Sequence, residues 1–394
     1  MCFLNQPQTL SGSYPAIELF SGAGGLSLGL ERAGFKVCIA NEIEKVFAQT
    51  FKLNHPHTKV IQRSVEKVDF KQELDDLEVK QLFLLSGGPP CQGFSTVGSK
   101  KKDDPRNILF QEYLRAIKET NPFYVLFENV AGFKKLYNGH SYHLLLEELD
   151  GLGYYTNSSI LDASDFGLPQ KRLRTIVVGW RKDLARVRLP LPTHCDIENI
   201  FAKPPKLCLM DAISDLPPLI SNDSSNAYLS SPRNDYQRKL RGSCKILTEH
   251  NSSNYGKKMR EILRFIPVNG CVEDLPVHLR PKKYFKNTYA RLSPNKPAPT
   301  ITRNFGTPSS SRCVHPFQDR ALSTREGARL QGFPDAYVFC GNKCSKNLQI
   351  GNSVPPVFGE IIAAAVMESI ISSGIDTSVA LKSGFEEKKN CYVN

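Results

Sequence analysis

The sequence predicts an α/β chain: a doubly wound, mostly parallel sheet with helices on both faces, joined to a smaller, irregular domain. Three observations lead there. Apolar runs of strand length alternate with helical stretches from residue 14 to 180, the pattern of parallel strands linked by helical crossovers. A glycine-rich turn follows the first of those runs. The alternation then dissolves after about residue 185 into sequence rich in Pro, Ser and Asn, which marks a boundary.

Taken in order, Ala16–Phe20 reads as the first strand, Phe20-Ser21-Gly22-Ala23-Gly24-Gly25-Leu26 as the turn, and Leu26–Ala33 as the helix it opens. Lys36–Asn41 is strand-like and Glu44–Leu53 helical. Leu82–Leu85, Tyr124–Phe127 and Thr175–Trp180 are further apolar runs of strand length, with helices expected at Asn107–Glu119 and Ser141–Leu149 between them. Residues 186–300 show only short irregular elements. Order returns at Val357–Ile371, a helix candidate behind the turn-like Gly351-Asn352-Ser353, and the last residues form a polar tail.

Composition narrows the function classes. Of 394 residues, 40% are hydrophobic and 23% charged, which excludes wholesale disorder. Lys and Arg number 51 against 39 Asp and Glu, a formal charge of +12, which suggests a polyanionic partner such as nucleic acid. The surplus is concentrated: residues 227–290 hold thirteen Lys and Arg against five Asp and Glu. A merely solvated basic surface is the alternative. The 11 cysteines include no CxxC pair, the closest spacing being Cys340-x3-Cys344. That argues against a zinc ribbon and a disulfide framework, and no metal is expected. The N-terminus lacks a signal-peptide pattern, and the apolar run at 361–366 is too short to span a bilayer. The expectation is a soluble, reduced, cytoplasmic protein with no membrane partner.

Several segments carry chemistry. The glycine turn lets a ligand approach the backbone at a helix N-terminus, as nucleotide and nucleoside sites require, although a tight structural turn reads the same way. It is not a P-loop, since no GKS or GKT follows. Glu42 stands about 20 positions beyond it, where an acid binds ribose hydroxyls in doubly wound folds; an exposed helix-start glutamate is the alternative. Ser86-Gly87-Gly88-Pro89-Pro90-Cys91-Gln92-Gly93-Phe94-Ser95 follows a strand, so Cys91 sits on a stiff turn as a candidate nucleophile. Glu128, closing the next strand in Phe127-Glu128-Asn129-Val130, is costly to bury without a task. Arg172 and Arg174, two apart at a strand start, could form a forked donor for phosphate or a base carbonyl; surface ion pairs are the alternative.

The ordered blocks ELFSGAGG, PPCQGFS, FENV, QKRLR, RLxxxKPAPTITR and GNSVPP resemble the DNA (cytosine-5) methyltransferase family of bacterial restriction–modification systems. The resemblance covers about 14–180 and 289–371 in family order. It implies a Rossmann-like, S-adenosylmethionine-dependent methyltransferase fold with a catalytic domain over 14–185 completed by 346–372. It further implies a target-recognition domain over 186–345, which holds the basic block, and a tail over 373–394. It implies methyl transfer to C5 of a flipped cytosine in duplex DNA through a covalent Cys91 adduct, with Glu128, Arg172 and Arg174 as the other catalytic residues: Glu128 at N3 and the exocyclic amine, Arg174 at the O2 side, and Arg172 supporting the loop or a phosphate.

By the same resemblance, S-adenosylmethionine lies against Phe20, Ser21, Gly22, Ala23, Gly24, Gly25, Leu26, Glu42, Ile43, Ser64, Val65, Pro89, Leu109, Asn352 and Val354. Gln92, Ser95, Gly98 and Arg106 meet the substrate, and Thr96–Arg106 with its three lysines closes over it. Two departures stand out: Ile43 replaces an aromatic, and Ser64-Val65 lacks the acid that contacts adenine. A monomer paired functionally with a restriction endonuclease is the expected setting. An RNA cytosine methyltransferase on the same scaffold is the alternative, disfavoured by Gly93 in place of the proline of the tRNA-modifying branch. Which bases are read is not legible in the irregular domain.

Overall fold

The computed structural model describes residues 14–90, 108–196, 203–310 and 312–375. Seven strands form one sheet in the order β3-β2-β1-β4-β5-β7-β6. They are β1 (Tyr14–Leu19), β2 (Phe35–Asn41), β3 (Lys59–Ile61), β4 (Leu84–Gly87), β5 (Tyr124–Val130), β6 (Tyr154–Asp162) and β7 (Leu173–Arg181). Strands β1 to β5 are mutually parallel, and β7 runs antiparallel between β5 and β6. β1 and β4 are buried along their whole length, because helices cover both faces.

The crossovers are α1 (Gly25–Arg32), α2 (Lys45–Asn54), α3 (Phe70–Asp76), α4 (Ile108–Thr120) and α5 (His140–Gly151). On one face Tyr113, Leu114, Ile117, Leu145 and Leu149 meet Leu85, Val125 and Phe127. On the other, Leu26 and Leu30 of α1 meet Phe358, Ile362 and Val366 of α11 (Pro356–Ser372). The last helix thus packs against the first, although more than 300 residues separate them. Its apolarity is spent on this core rather than exposed.

The second region is less irregular than its composition suggests. It holds α6 (Leu209–Ile213), α7 (Asp235–Arg241), α8 (Lys257–Phe265) and α9 (Thr324–Leu330), and α10 (Lys343–Asn352) leads out of it. Their apolar sequences are short, so buried ions replace part of the core. Arg329 is fully buried and meets Asp215 and Asp335; Arg320 meets Glu326. Arg291, also buried, donates to the carbonyls of Leu263, Ile266, His315 and Gln318 and pairs with Asp319. It thereby holds the small core of Ile262, Ile266, Val272, Leu275, Leu279 and Tyr289, whose surface carries the exposed Lys257, Lys258, Arg260 and Arg264.

Candidate active site

The site assembles at the C-terminal edge of the parallel strands, where strand order reverses between β1 and β4. β1 delivers the glycine turn. Phe20, Gly22 and Gly24 all have left-handed backbone, with φ of 57°, 56° and 87°. Glycine tolerates this; at Phe20 it costs roughly 1–2 kcal/mol. The Gly22 N–H donates to Glu42 Oε2 and the Glu44 N–H to Glu42 Oε1, both at 2.8 Å. The carboxylate at the end of β2 is therefore fixed beside the turn. Burial raises its pKa against those two donors. Each oxygen keeps a second lone pair, which suits a ribose diol, so the residues present fit a nucleoside.

Other residues expected around the cofactor divide by position. Phe20 and Leu109 are partly buried against the large apolar cluster that contains Val65. Gly25 comes so close to Val354 that a Cβ there would lie 2.3 Å from the Val354 carbonyl. The Ser21 N–H donates to Asn41 O, while the Ala23 and Leu26 side chains are core residues of two different clusters. Asn352 is exposed at the end of α10, Ser64 is half-buried, and Ile43 is 62% exposed.

β4 leads into the Pro-Pro segment. A Cβ on Gly88 would lie 3.0 Å from Glu128 Oε2, so glycine permits the approach of this loop to β5. The Asn129 amide donates to the carbonyl of Pro89, which is buried, at 3.1 Å. These contacts anchor the chain two residues before Cys91. Cys91, Gln92, Ser95, Gly98 and Arg106 themselves lie outside the described residues.

Glu128, in β5, is almost wholly buried. Arg174 Nε lies 2.8 Å from its Oε1, an ion pair not aligned as a hydrogen bond. Burial raises the Glu128 pKa, although Arg174 and Arg172 oppose it. The carboxyl thus keeps its proton to higher pH than an ordinary glutamate. The two arginines do not form a joint fork, which corrects that expectation. Arg174 faces Glu128, whereas Arg172 is 1% exposed and donates to the carbonyls of Ile301 (3.0 Å), Gly351 (2.9 Å) and Ser353 (2.8 Å). Its two Nη atoms serve backbone oxygens, while its buried Nε has no hydrogen-bond partner among the described residues and its charge still acts on Glu128. Among the described residues no group of three or more His, Cys, Asp or Glu is arranged to hold a metal ion.

Sequence reasoning gave no role to Asn129 or Gln170. The buried Gln170 accepts from the Ile301 N–H and donates to Leu330 O and Gln331 Oε1, joining the QKRLR and KPAPTITR segments. Both lie inside quoted blocks, next to charged residues that drew the attention. Their burial was the missing signal.

The sheet order, the glycine turn after β1 and the acid at the end of β2 define a Rossmann-like, doubly wound fold with a nucleoside-type site at its switch point. The C-5 cytosine-specific DNA methylase family model matches residues 14–368. The chain is 33% identical over 369 residues to the type II methyltransferase M1.HphI of Haemophilus parahaemolyticus, covering 93% of this chain and 90% of that protein. It is 33% identical to the type II methyltransferase M.AgeI of Thalassovita gelatinovora, covering 90% and 99%. A prophage-encoded E. coli protein assigned as a DNA modification methyltransferase superposes with a TM-score of 0.72 at 27% identity, covering 91% and 99%. The chain belongs to the C-5 cytosine-specific DNA methylase family, and it is an enzyme of the DNA (cytosine-5) methyltransferase class.

Proposed function

We propose that this protein methylates C5 of one cytosine within a short duplex DNA motif, flipped out of the helix, as the protective enzyme of a restriction–modification system. The observation that carries the reading is the buried Glu128–Arg174 pair at 2.8 Å, set against the Gly88–Pro89 approach to Cys91. The pair offers a base an acid and a guanidinium side by side, and we assign the nucleophile to Cys91. Reaction cannot occur inside a stacked duplex, so the base must leave the helix.

Cytosine C5 is a poor nucleophile. The Cys91 thiolate adds to C6, and the electron pair of the C5–C6 double bond moves to C5. Glu128 supplies a proton to N3 and accepts from the exocyclic amine, which stabilises the adduct; its raised pKa suits a group that must carry a proton. Arg174 faces the O2 side and holds the Glu128 carboxyl in place. S-adenosylmethionine, when bound, supplies an electrophilic methyl group. Loss of the C5 proton to water, return of the C6–S electron pair to sulfur and return of the N3 proton to Glu128 then restore the neutral aromatic ring and the starting carboxyl. Arg172 positions rather than reacts: it ties the loop before β7 to residues 301, 351 and 353. Gly22, Gly24, Glu42, Phe20, Val65, Leu109 and Val354 would hold the cofactor, with Ser21, Ala23, Gly25 and Leu26 shaping its turn.

We assign 14–185 with 346–372 to the catalytic domain and 186–345 to DNA recognition, acting as a monomer in the cytoplasm. Glu128→Gln tests the proton role. It is expected to lower turnover on duplex DNA roughly 100-fold or more and leave DNA binding intact. It also removes the fall in wild-type rate that comes as pH rises and Glu128 loses its proton. A variant that keeps the wild-type rate and pH profile would remove Glu128 from the mechanism.

A further inference from the structure

The second region carries an aromatic tip that has no part in the chemistry above. Phe285 is 84% exposed and its neighbour Tyr284 42%. They sit in the segment Lys282-Lys283-Tyr284-Phe285-Lys286, whose three lysines are exposed as well. A single apolar side chain in water is ordinary on a protein surface. What sets this one apart is that the chain on both sides is tied down, so the ring is held outward rather than free to fold back.

Before the tip, Arg280 turns inward. Its Nε donates to the Leu275 carbonyl at 2.7 Å and its Nη2 to the Glu273 carbonyl at 2.8 Å. Pro281 follows with its fixed φ. After the tip, the Thr288 N–H donates to the Phe285 carbonyl at 2.8 Å, and the Phe285 N–H donates to the Thr288 hydroxyl at 3.2 Å. Thr288 is buried, and its carbonyl accepts from the Val272 N–H at 3.0 Å. Tyr289 takes left-handed backbone, with φ of 58°, a strained choice for a residue with a side chain. Its ring is buried in the small core with Ile262, Val272 and Leu279. The backbone of Phe285 is therefore fixed to that core while its ring meets solvent.

Charge selects the occupant. Residues 256–290 hold eight Lys and Arg against three Asp and Glu, and one of those acids, Asp274, is engaged by the Cys271 N–H at 2.7 Å. A second copy of this chain would set the same positive charge against itself, which opposes a symmetric contact. A polyanion complements it. Phosphates suit the lysines but not a phenyl ring, which has no donor to offer them. In a duplex the apolar partners of such a ring are thymine methyls and base faces, inside the grooves.

We propose that Phe285 is a specificity-determining residue: it enters a groove of duplex DNA and makes an apolar contact with one base pair of the recognition motif, while Lys282, Lys283 and Lys286 hold the flanking phosphates. The proposal rests on the reading of this protein as a duplex DNA methyltransferase and names where that reading places one base contact.

The test compares Phe285→Ala, Phe285→Leu and a triple variant with Lys282, Lys283 and Lys286 changed to Ala against the wild-type full chain. The probes are a duplex carrying the motif that the wild type methylates and a set of duplexes with each base pair of that motif changed singly. Binding is followed over a salt series and methylation at base resolution, with melting temperature and sedimentation alongside. Phe285→Ala is expected to keep the wild-type melting temperature and salt slope, yet to lose roughly 5- to 100-fold of its preference for the motif at one base pair. Phe285→Leu, which keeps an apolar side chain, loses less. The triple variant weakens binding to all the duplexes alike and keeps the preference. Wild type that discriminates while Phe285→Ala discriminates equally well, or weakens on every duplex by the same factor, overturns the proposal and leaves the methyltransferase reading standing. A wild-type dimer that Phe285→Ala dissociates would put a second copy on the tip and overturns it too. Folded wild-type protein that methylates no duplex overturns the methyltransferase reading, and the tip assignment with it.

Discussion

Replacing Arg172 by Met separates positioning from catalysis. The side chain is 1% exposed and its guanidinium donates to the carbonyls of Ile301, Gly351 and Ser353. Methionine fills similar space and removes a buried charge, which recovers part of the cost of burying it; that cost is why the Arg172 pKa lies well below the usual value. The carbonyls remain, however. Ser353 O still accepts from the Gln331 amide, but Ile301 O and Gly351 O each lose a charged donor worth about 1.5–3 kcal/mol. Allowing for the relief of desolvation, the net loss of folding free energy is about 3 kcal/mol. Urea unfolding followed by the fluorescence of the single tryptophan, Trp180 of β7, measures it directly. Arg174→Lys is the contrast: it keeps a charge beside the buried Glu128, so stability falls by less than in Arg172→Met while turnover drops. If Arg172→Met unfolds at the wild-type midpoint yet loses turnover, Arg172 contacts substrate and the clamp reasoning is wrong.

Three further outcomes are expected. Asn129→Ala frees the Pro89 carbonyl that the amide now holds at 3.1 Å and so loosens the approach to Cys91; kcat should fall roughly 10- to 100-fold with little change in KM for DNA, and an unchanged kcat would mean the anchor is idle. Glu18 is buried and its pKa is pushed up to about 8, far above its value in the unfolded chain. The folded state therefore holds the extra proton, and stability falls as pH rises through that window; Glu18→Gln should flatten the pH dependence of the urea midpoint, and a midpoint slope like that of wild type would refute the assignment. The exposed Lys282, Lys283 and Lys286 lie in the basic block, and mutating all three to Ala should reduce the log–log salt slope of DNA binding by up to about 3, whereas an unaltered slope places the phosphate contacts elsewhere.

Where apolar period and turn chemistry agree, the chain declares its structure. Helices expected at Asn107–Glu119 and Ser141–Leu149 appear at Ile108–Thr120 and His140–Gly151, and the strand expected at Tyr124–Phe127 continues to Val130. β6 escaped notice because it is an edge strand whose residues, Tyr155 to Ser159, are polar and only partly covered. β3 is three residues long, too short to show a period. The second region hid its helices in the same way: α6, α7 and α9 are five to seven residues long, too short to show a period, although Leu209, Ala212, Ile213, Ala328 and Leu330 pack in one apolar cluster beside buried Arg–Asp and Arg–Glu pairs. In the site, Gly22 and Glu42 read equally well as a structural turn and a helix-start acid, so the family blocks rather than the residue types singled them out. For Arg172 the sequence left loop support and phosphate binding open, because charge in a sequence does not say whether it meets a ligand or the backbone carbonyls of Ile301, Gly351 and Ser353. Asn129 and Gln170 gain their meaning only from partners distant in the chain.

The central claim is sequence-specific cytosine-5 methylation through Cys91. Base-resolution mapping of 5-methylcytosine in plasmid DNA from cells expressing the protein, with Cys91→Ser in parallel, tests it most directly. The account predicts methylation confined to one short motif in the wild type and none in the variant. Folded, well-expressed wild-type protein that leaves the plasmid unmethylated, or a Cys91→Ser variant that methylates it normally, would contradict the account.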